Sequence, residues 1–192
     1  MEVKSKSDIR KKYKEIRSDL SIEKIDILSQ KIANELIRNF NFSNSSVHTF
    51  IPIKKLKEVN TLFLLDQLFN TDVTLSTSIY NPKKVTTQHV KIFPYTKYTL
   101  GNMDVPIPNS NIPEFINRLD YIIIPLLGYD THGNRIGYGK GVYDQILSEC
   151  TKNCKKIGLS FFEPEQQLPF EPHDIKLDFC QTPGYLYDFN YY

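Results

Sequence analysis

The sequence predicts a three-layer α/β domain with a mostly parallel sheet. Segments with helical and with strand periodicity alternate along the 192 residues, the pattern of strands covered by helices on both faces. Tyr121 to Leu126 is an apolar, β-branched run, as expected of a strand buried on both sides. A glycine-rich segment follows that strand, and open parallel sheets bind ligands beyond the carboxyl ends of their strands.

Lys4 to Arg17 reads as a basic helix, and Ser21 is placed to cap a second one. There Ile22, Ile25, Leu28, Ile32, Leu36 and Phe40 recur at three- and four-residue steps, which puts them on one buried face. NFSNSS is a turn, Val47 to Ile51 a short strand, and Asn60 the cap of a helix reaching Phe69. Short β-rich pieces at Val73 to Ser76 and Val90 to Phe93 flank NPKKVTTQ, an exposed turn or hairpin. Gly101 to Pro113 holds three prolines and is expected as extended coil. Lys140 to Cys150 should be helix and Lys155 to Ser160 a further buried strand.

A 40% hydrophobic, 12% aromatic chain of this length suits one substantial core. The net charge is only +2, although Lys4, Lys6, Arg10, Lys11, Lys12, Lys14 and Arg17 crowd the first helix. An RNA-binding helix would need interleaved exposed aromatics and a larger net charge, so no nucleic-acid partner is expected. Cys150, Cys154 and Cys180 lack zinc-ligand spacing and read as reduced thiols. With no run near the ~20 apolar residues of a membrane span and no signal-peptide core, the expectation is a cytoplasmic monomer without a membrane partner.

The chemistry concentrates in YDTHGNRIGYGKGVYDQIL, Tyr129 to Leu147. Gly137, Gly139 and Gly141 let backbone N–H groups turn toward a ligand, and a helix start adds its dipole, so the segment is composed as an anion site. Plain strand-to-helix turns also carry glycines. Here Arg135 and Lys140 add positive charge, and Asp144 falls in the first helical turn, where a carboxylate can hold the Mg²⁺ of a nucleotide. The spacing is neither GxxxxGK[ST] nor GxGxxG.

IIIPLLGYDTHGNRIGYGKGVYD closely resembles the signature of the 5-formyltetrahydrofolate cyclo-ligase (5,10-methenyltetrahydrofolate synthetase) family. Three further segments match in order: Lys6 to Arg10 with Arg17 beyond, Glu58 to Thr61, and His173 to Asp178 followed by Thr182 and Pro183. The resemblance implies one cyclo-ligase domain over residues 1–192, with the architecture shared by ribose-phosphate isomerase and coenzyme A transferase folds. It also implies ATP- and Mg²⁺-dependent closure of 5-formyltetrahydrofolate to 5,10-methenyltetrahydrofolate, releasing ADP and phosphate through a phosphorylated formyl group, an iminium phosphate.

Residue by residue, the resemblance gives ATP to Lys6, Arg10, Arg135, Ile136, Gly137, Tyr138, Gly139, Lys140, Gly141, Val142 and Tyr143. The folate falls to Arg10, Glu58, Tyr138, Gly139, Lys140, Gly141 and Val142. Arg135 and Lys140 would stabilise phosphoryl charge, Glu58 would orient the reacting amine and take its proton, and Asp144 and Asp178 match the Mg²⁺ positions. His173 is expected to organise its loop, and His48, His89 and His132 carry no motif role. Val142 stands where the family has Tyr or Phe, Gln145 for a frequent Arg, and Asn60 for an acidic residue, which affects fine substrate contacts only. A sugar-phosphate isomerase or acyl-coenzyme A transferase on the same fold is the alternative; neither needs ATP, and the Lys6/Arg10 pair and two Mg²⁺-type carboxylates speak against it.

Overall fold

Helix α1, Lys6–Ser18, begins at a capping box in which the Ser5 hydroxyl accepts from the Asp8 N–H while the Asp8 carboxylate accepts from the Ser5 N–H. This computed structural model describes residues 5–190, so Lys4 of the expected helix lies outside the described residues. Helix α2, Ile22–Asn39, starts where expected, with Ser21 accepting from the Lys24 N–H. Its buried face runs through Ile25, Ser29, Ile32, Ala33 and Leu36, whereas Ile22 of the expected stripe is 75% exposed and Leu28 only half-buried.

Strand β1, Ser46–His48, is followed by helix α3, Leu62–Leu68, and strand β2, Thr74–Asn81. Helix α3 starts after Thr61 rather than Asn60, whose side chain still accepts from the Leu62 N–H at 3.3 Å. The NPKKVTTQ turn joins β2 to an antiparallel strand β3, Thr86–Lys91. Within the expected coil, Pro106–Pro108 (β5) instead pairs with Tyr98–Leu100 (β4), just before it, as a short antiparallel ribbon. The sheet continues with β6, Tyr121–Pro125, then β9, Lys155–Leu159, β10, Phe179–Gln181, and β11, Leu186–Asp188; between β6 and β9 come a small hairpin, β7 (Gly128–Tyr129) with β8 (Arg135–Ile136), and helix α4, Val142–Glu149.

The seven-stranded sheet has the order β11-β10-β9-β6-β1-β2-β3, parallel except for the two edge strands β11 and β3. Strand β6 shows why its sequence is uniformly apolar. Tyr121 and Ile123 enter the cluster formed with α2 and α3, while Ile122 and Ile124 enter the cluster formed with α4. A third, smaller cluster of Ile9, Tyr13, Leu127, Ile136 and Leu168 seats α1 on the β7–β8 hairpin. Gly128 permits that seating, since a Cβ there would lie 2.6 Å from the Tyr13 ring.

The chain leaves β1 toward β2 on one side and leaves β6 toward β9 on the other. Adjacent parallel strands whose connections diverge in this way open a crevice at their carboxyl ends. Among the described residues no helix is long and apolar enough to cross a membrane.

Candidate active site at the carboxyl ends of β1 and β6

The loop after β1 delivers Glu58 to that crevice, and the loop after β6 delivers the glycine segment. A hairpin intervenes between strand and glycines, contrary to the direct strand-to-loop passage the sequence suggests. Its turn is held by Asp130, fully buried, whose carboxylate accepts from the N–H groups of His132, Asn134 and Leu168 and from the Asn134 side chain. Four donors on one buried carboxylate fix the shape of that turn.

Helix α1 closes the other side. Arg10 Nε donates to the Gly137 carbonyl at 3.0 Å, and its guanidinium lies against Gly139, where a Cβ would be only 3.2 Å from Cζ. Gly139 and Gly141 take φ values of +90° and +66°, so the loop depends on their lack of a side chain. Gly141 precedes α4 without a side-chain cap, which leaves the first N–H groups of that helix for a ligand or solvent. Lys140 is exposed and makes no hydrogen bond or ion pair among the described residues. Lys6 is held by Asp174 at 2.6 Å and Glu171 at 3.5 Å. Burial raises the Asp174 proton affinity, but Lys6 and the Glu171 N–H outweigh it and hold the carboxyl below its usual range. His173 is 72% exposed, its Nε2 3.1 Å from a Glu171 carboxylate oxygen.

Glu58 is 5% exposed, and its Oε2 accepts from the Ile53 N–H at 2.7 Å. Burial pushes its proton affinity up; the Ile53 N–H, the nearby Tyr138 hydroxyl and the charge of Arg17 oppose that. Tyr138 and Tyr143 are both pushed above the ordinary phenol range, by burial first and by Glu58 second. Tyr143 and Val142 rest against the α4-side cluster.

Three residues sit differently from expectation. Arg135 is buried, donating to the Ile175 carbonyl at 2.6 Å and to Asp144 Oδ1 at 2.7 Å, so it ties the 171–178 loop to α4 rather than reaching outward. Ile136 is core, and its carbonyl is taken by the Leu127 N–H. Asp178 caps the amino ends of β9 and β10, accepting from the Lys156 N–H at 2.8 Å and from Lys156 Nζ at 2.9 Å. Asp144 lies in the first turn of α4, whereas Asp178 is electrostatically linked to Cys154, the partner of Cys150 just past its last turn. Asp144 is held by Arg135 and Asp178 by Lys156, and no hydrogen bond or ion pair among the described residues gives the two carboxylates a common partner.

Arg17 is the residue that sequence reasoning left without a role. It is 2% exposed and donates to the Leu126 carbonyl at 2.7 Å and to Tyr138 Oη at 2.9 Å. The signal was its position: Ile9, Tyr13 and Arg17 follow at four-residue steps on the buried face of α1, a cation in an apolar stripe.

The fold and site together define an α/β protein with a glycine loop and a basic helix facing a buried carboxylate across a switch-point crevice. The profile of the 5-formyltetrahydrofolate cyclo-ligase family matches residues 2–183, and the chain belongs to that family. Among curated relatives, the 5-formyltetrahydrofolate cyclo-ligase of Mycoplasma pneumoniae is 36% identical over 62 residues, 32% of this chain and 38% of that protein. The first relatives are thus matched over well under half of their length. The Haemophilus influenzae 5-formyltetrahydrofolate cyclo-ligase aligns over 92% of this chain and 97% of its own length at 23% identity. The solution structure of Aquifex aeolicus 5,10-methenyltetrahydrofolate synthetase superposes with a TM-score of 0.82 at 24% identity, covering 96% of this chain and 93% of that one.

Proposed function

We propose that this chain closes 5-formyltetrahydrofolate to 5,10-methenyltetrahydrofolate at the expense of ATP, with Mg²⁺, releasing ADP and phosphate. The observation that carries the reading is the seating of Arg10 on the Gly137–Gly139 backbone, which joins two family motifs 127 positions apart into one cation-lined cradle.

A formamide carbonyl is a poor electrophile, because the nitrogen lone pair is delocalised into it and its oxygen leaves badly. Transfer of the γ-phosphoryl to that oxygen gives an iminium phosphate. The neighbouring ring-side amine then attacks the formyl carbon, the carbon–oxygen bond breaks, phosphate departs, and the amine proton passes to Glu58. Arg10 and Lys140 are the cations available to developing phosphoryl charge, and the glycine loop with the α4 start supplies N–H donors. Lys6 reaches a phosphate by exchanging Asp174 for it. Of the two expected metal carboxylates Asp144 suits the task, being half-buried at the loop with one oxygen on Arg135; Mg²⁺ commonly takes only one or two protein carboxylates, the phosphates and water completing its shell. When bound, the ion supplies charge neutralisation across the phosphates. Arg135 orients Asp144 from behind.

Incubation of the purified protein with 5-formyltetrahydrofolate, ATP and Mg²⁺ should raise a new near-ultraviolet absorption, since ring closure creates a conjugated amidinium. Omitting ATP should abolish it. A folded sample that binds Mg²⁺ and ATP but gives no absorbance change would overturn the assignment.

A further inference from the structure

We propose that Lys57 is a positioning residue for this reaction: its ammonium ties the loop that carries Glu58 to the carboxyl end of α1, so that Glu58 and the Arg10 guanidinium keep one spacing. The proposal rests on the proton-accepting part given to Glu58 above. Lys57 Nζ donates to the Ser18 carbonyl at 2.5 Å and to the Leu20 carbonyl at 2.7 Å. Ser18 is the last residue of α1, where carbonyls lack helical partners and the helix dipole is negative, so charge and hydrogen bonds hold the ammonium together. Glu58 is the next residue, and its Oε2 returns to the Ile53 N–H at 2.7 Å, closing the loop around the single 3₁₀ turn Lys54–Leu56. One lysine side chain and one peptide bond therefore separate α1 from the residue that takes the proton.

The backbone shows that a turn alone does not account for this lysine. Lys57 takes φ +49° and ψ +45°, the left-handed region that glycine enters freely and a residue with a Cβ enters at a cost. Glycine would serve the turn better; it could not supply the ammonium. Lys54 and Lys55 of the same stretch are exposed, whereas Lys57 is half-buried on the two carbonyls. Elsewhere α1 is fastened by Arg10 to the Gly137 carbonyl and by Arg17 to the Leu126 carbonyl. With Lys57 as the third tie, one helix joins the glycine loop, the end of β6 and the Glu58 loop. Attack of an amine on an activated carbon, with its proton leaving to a carboxylate, depends on placement to within an ångström or so, which such ties maintain.

The test compares steady-state kinetics and amide exchange for wild type, Lys57→Gly, Lys57→Met, Lys57→Arg and Glu58→Gln. Lys57→Gly and Lys57→Met should each lower kcat roughly tenfold with the KM for ATP little changed, and Lys57→Arg, which keeps a cation in reach of the carbonyls, should recover most of the loss. Because glycine relieves the left-handed backbone and methionine does not, an equal loss in the two assigns it to the ammonium. The Ile53 amide, whose hydrogen is held by Glu58, should exchange roughly tenfold faster in both variants while the β6 amides keep their rates; a general loss of stability would speed both. Lys57→Gly decides the matter should Lys57→Met fail to fold. Wild-type kcat or wild-type Ile53 exchange in Lys57→Gly, alongside a strongly impaired Glu58→Gln, would overturn the positioning role alone. A fully active Glu58→Gln would instead remove the Glu58 role, and this proposal with it.

Discussion

The two ends of the sheet treat similar residues in opposite ways. At the carboxyl ends of β1 and β6, charged groups face a crevice: Lys140 is exposed, Arg10 lies on bare glycine backbone, and Asp144 is anchored by one oxygen. At the amino ends, Asp178 spends one oxygen on both the Lys156 N–H and the Lys156 ammonium, and Cys150 and Cys154 pack together beside it. The difference teaches that a charged motif residue is fitted for ligand chemistry by what its neighbours leave unsatisfied. Asp144 and Asp178 carry the same family expectation and differ in that respect.

Removing cations from the crevice should have the largest effect. Arg10→Ala and Lys140→Ala should each lower kcat/KM by ~10²-fold or more, because each deletes a charge facing the moving phosphoryl group. Near wild-type turnover at saturating ATP in either variant would erase that residue from the crevice. The two carboxylates give the sharpest contrast. Asp144→Asn should move the Mg²⁺ dependence of the rate to higher concentration, whereas Asp178→Asn should leave that titration in place and lower unfolding stability by about 1 kcal/mol, the worth of a lost hydrogen bond. Identical Mg²⁺ titrations for the two variants would dissolve the distinction.

A further effect bears on stability alone and lies inside the sheet, at the last residue of β1. His48 is fully buried, its Nε2 2.7 Å from Ser78 Oγ, which in turn lies 2.9 Å from His89 Nδ1. Burial first, and the neighbouring His89 second, push the His48 pKa down to about 3, from an ordinary 6.5. Between those values the unfolded chain binds a proton that the folded one refuses. Stability is therefore fully present above the ordinary value and declines as pH falls toward about 3. The loss should approach about 1.4 kcal/mol per pH unit in urea titrations between neutral and mildly acidic pH, and His48→Gln should flatten it.

Much of the architecture was legible because it rests on patterns of adequate length. The Ser21 cap, the α2 stripe from Ile25 onward and the doubly buried Tyr121–Ile124 run each follow from periodicity. The β7–β8 hairpin was not, since strands of two residues have no period; it is specified instead by Asp130, whose donors come from residues up to 38 positions away. The glycines, Arg10 and Glu58 could be placed at one site from motif order. That Arg135 points inward and Asp178 is held by Lys156 at the amino ends of β9 and β10 depends on side-chain pairings that motif spacing does not encode.

Helix α1 is seated by its own small apolar cluster, apart from the two that sandwich the sheet. Were it to open as a unit with the sheet and remaining helices still folded, the cradle would be dismantled, because Arg10 and Arg17 would leave with it. A ligand gripped by both α1 and the glycine loop acts as a clasp between a movable wall and a fixed one. In hydrogen exchange, the α1 amides should then be the ones whose protection rises most when ATP is added, while those of β6, already at the centre of the sheet, hardly change.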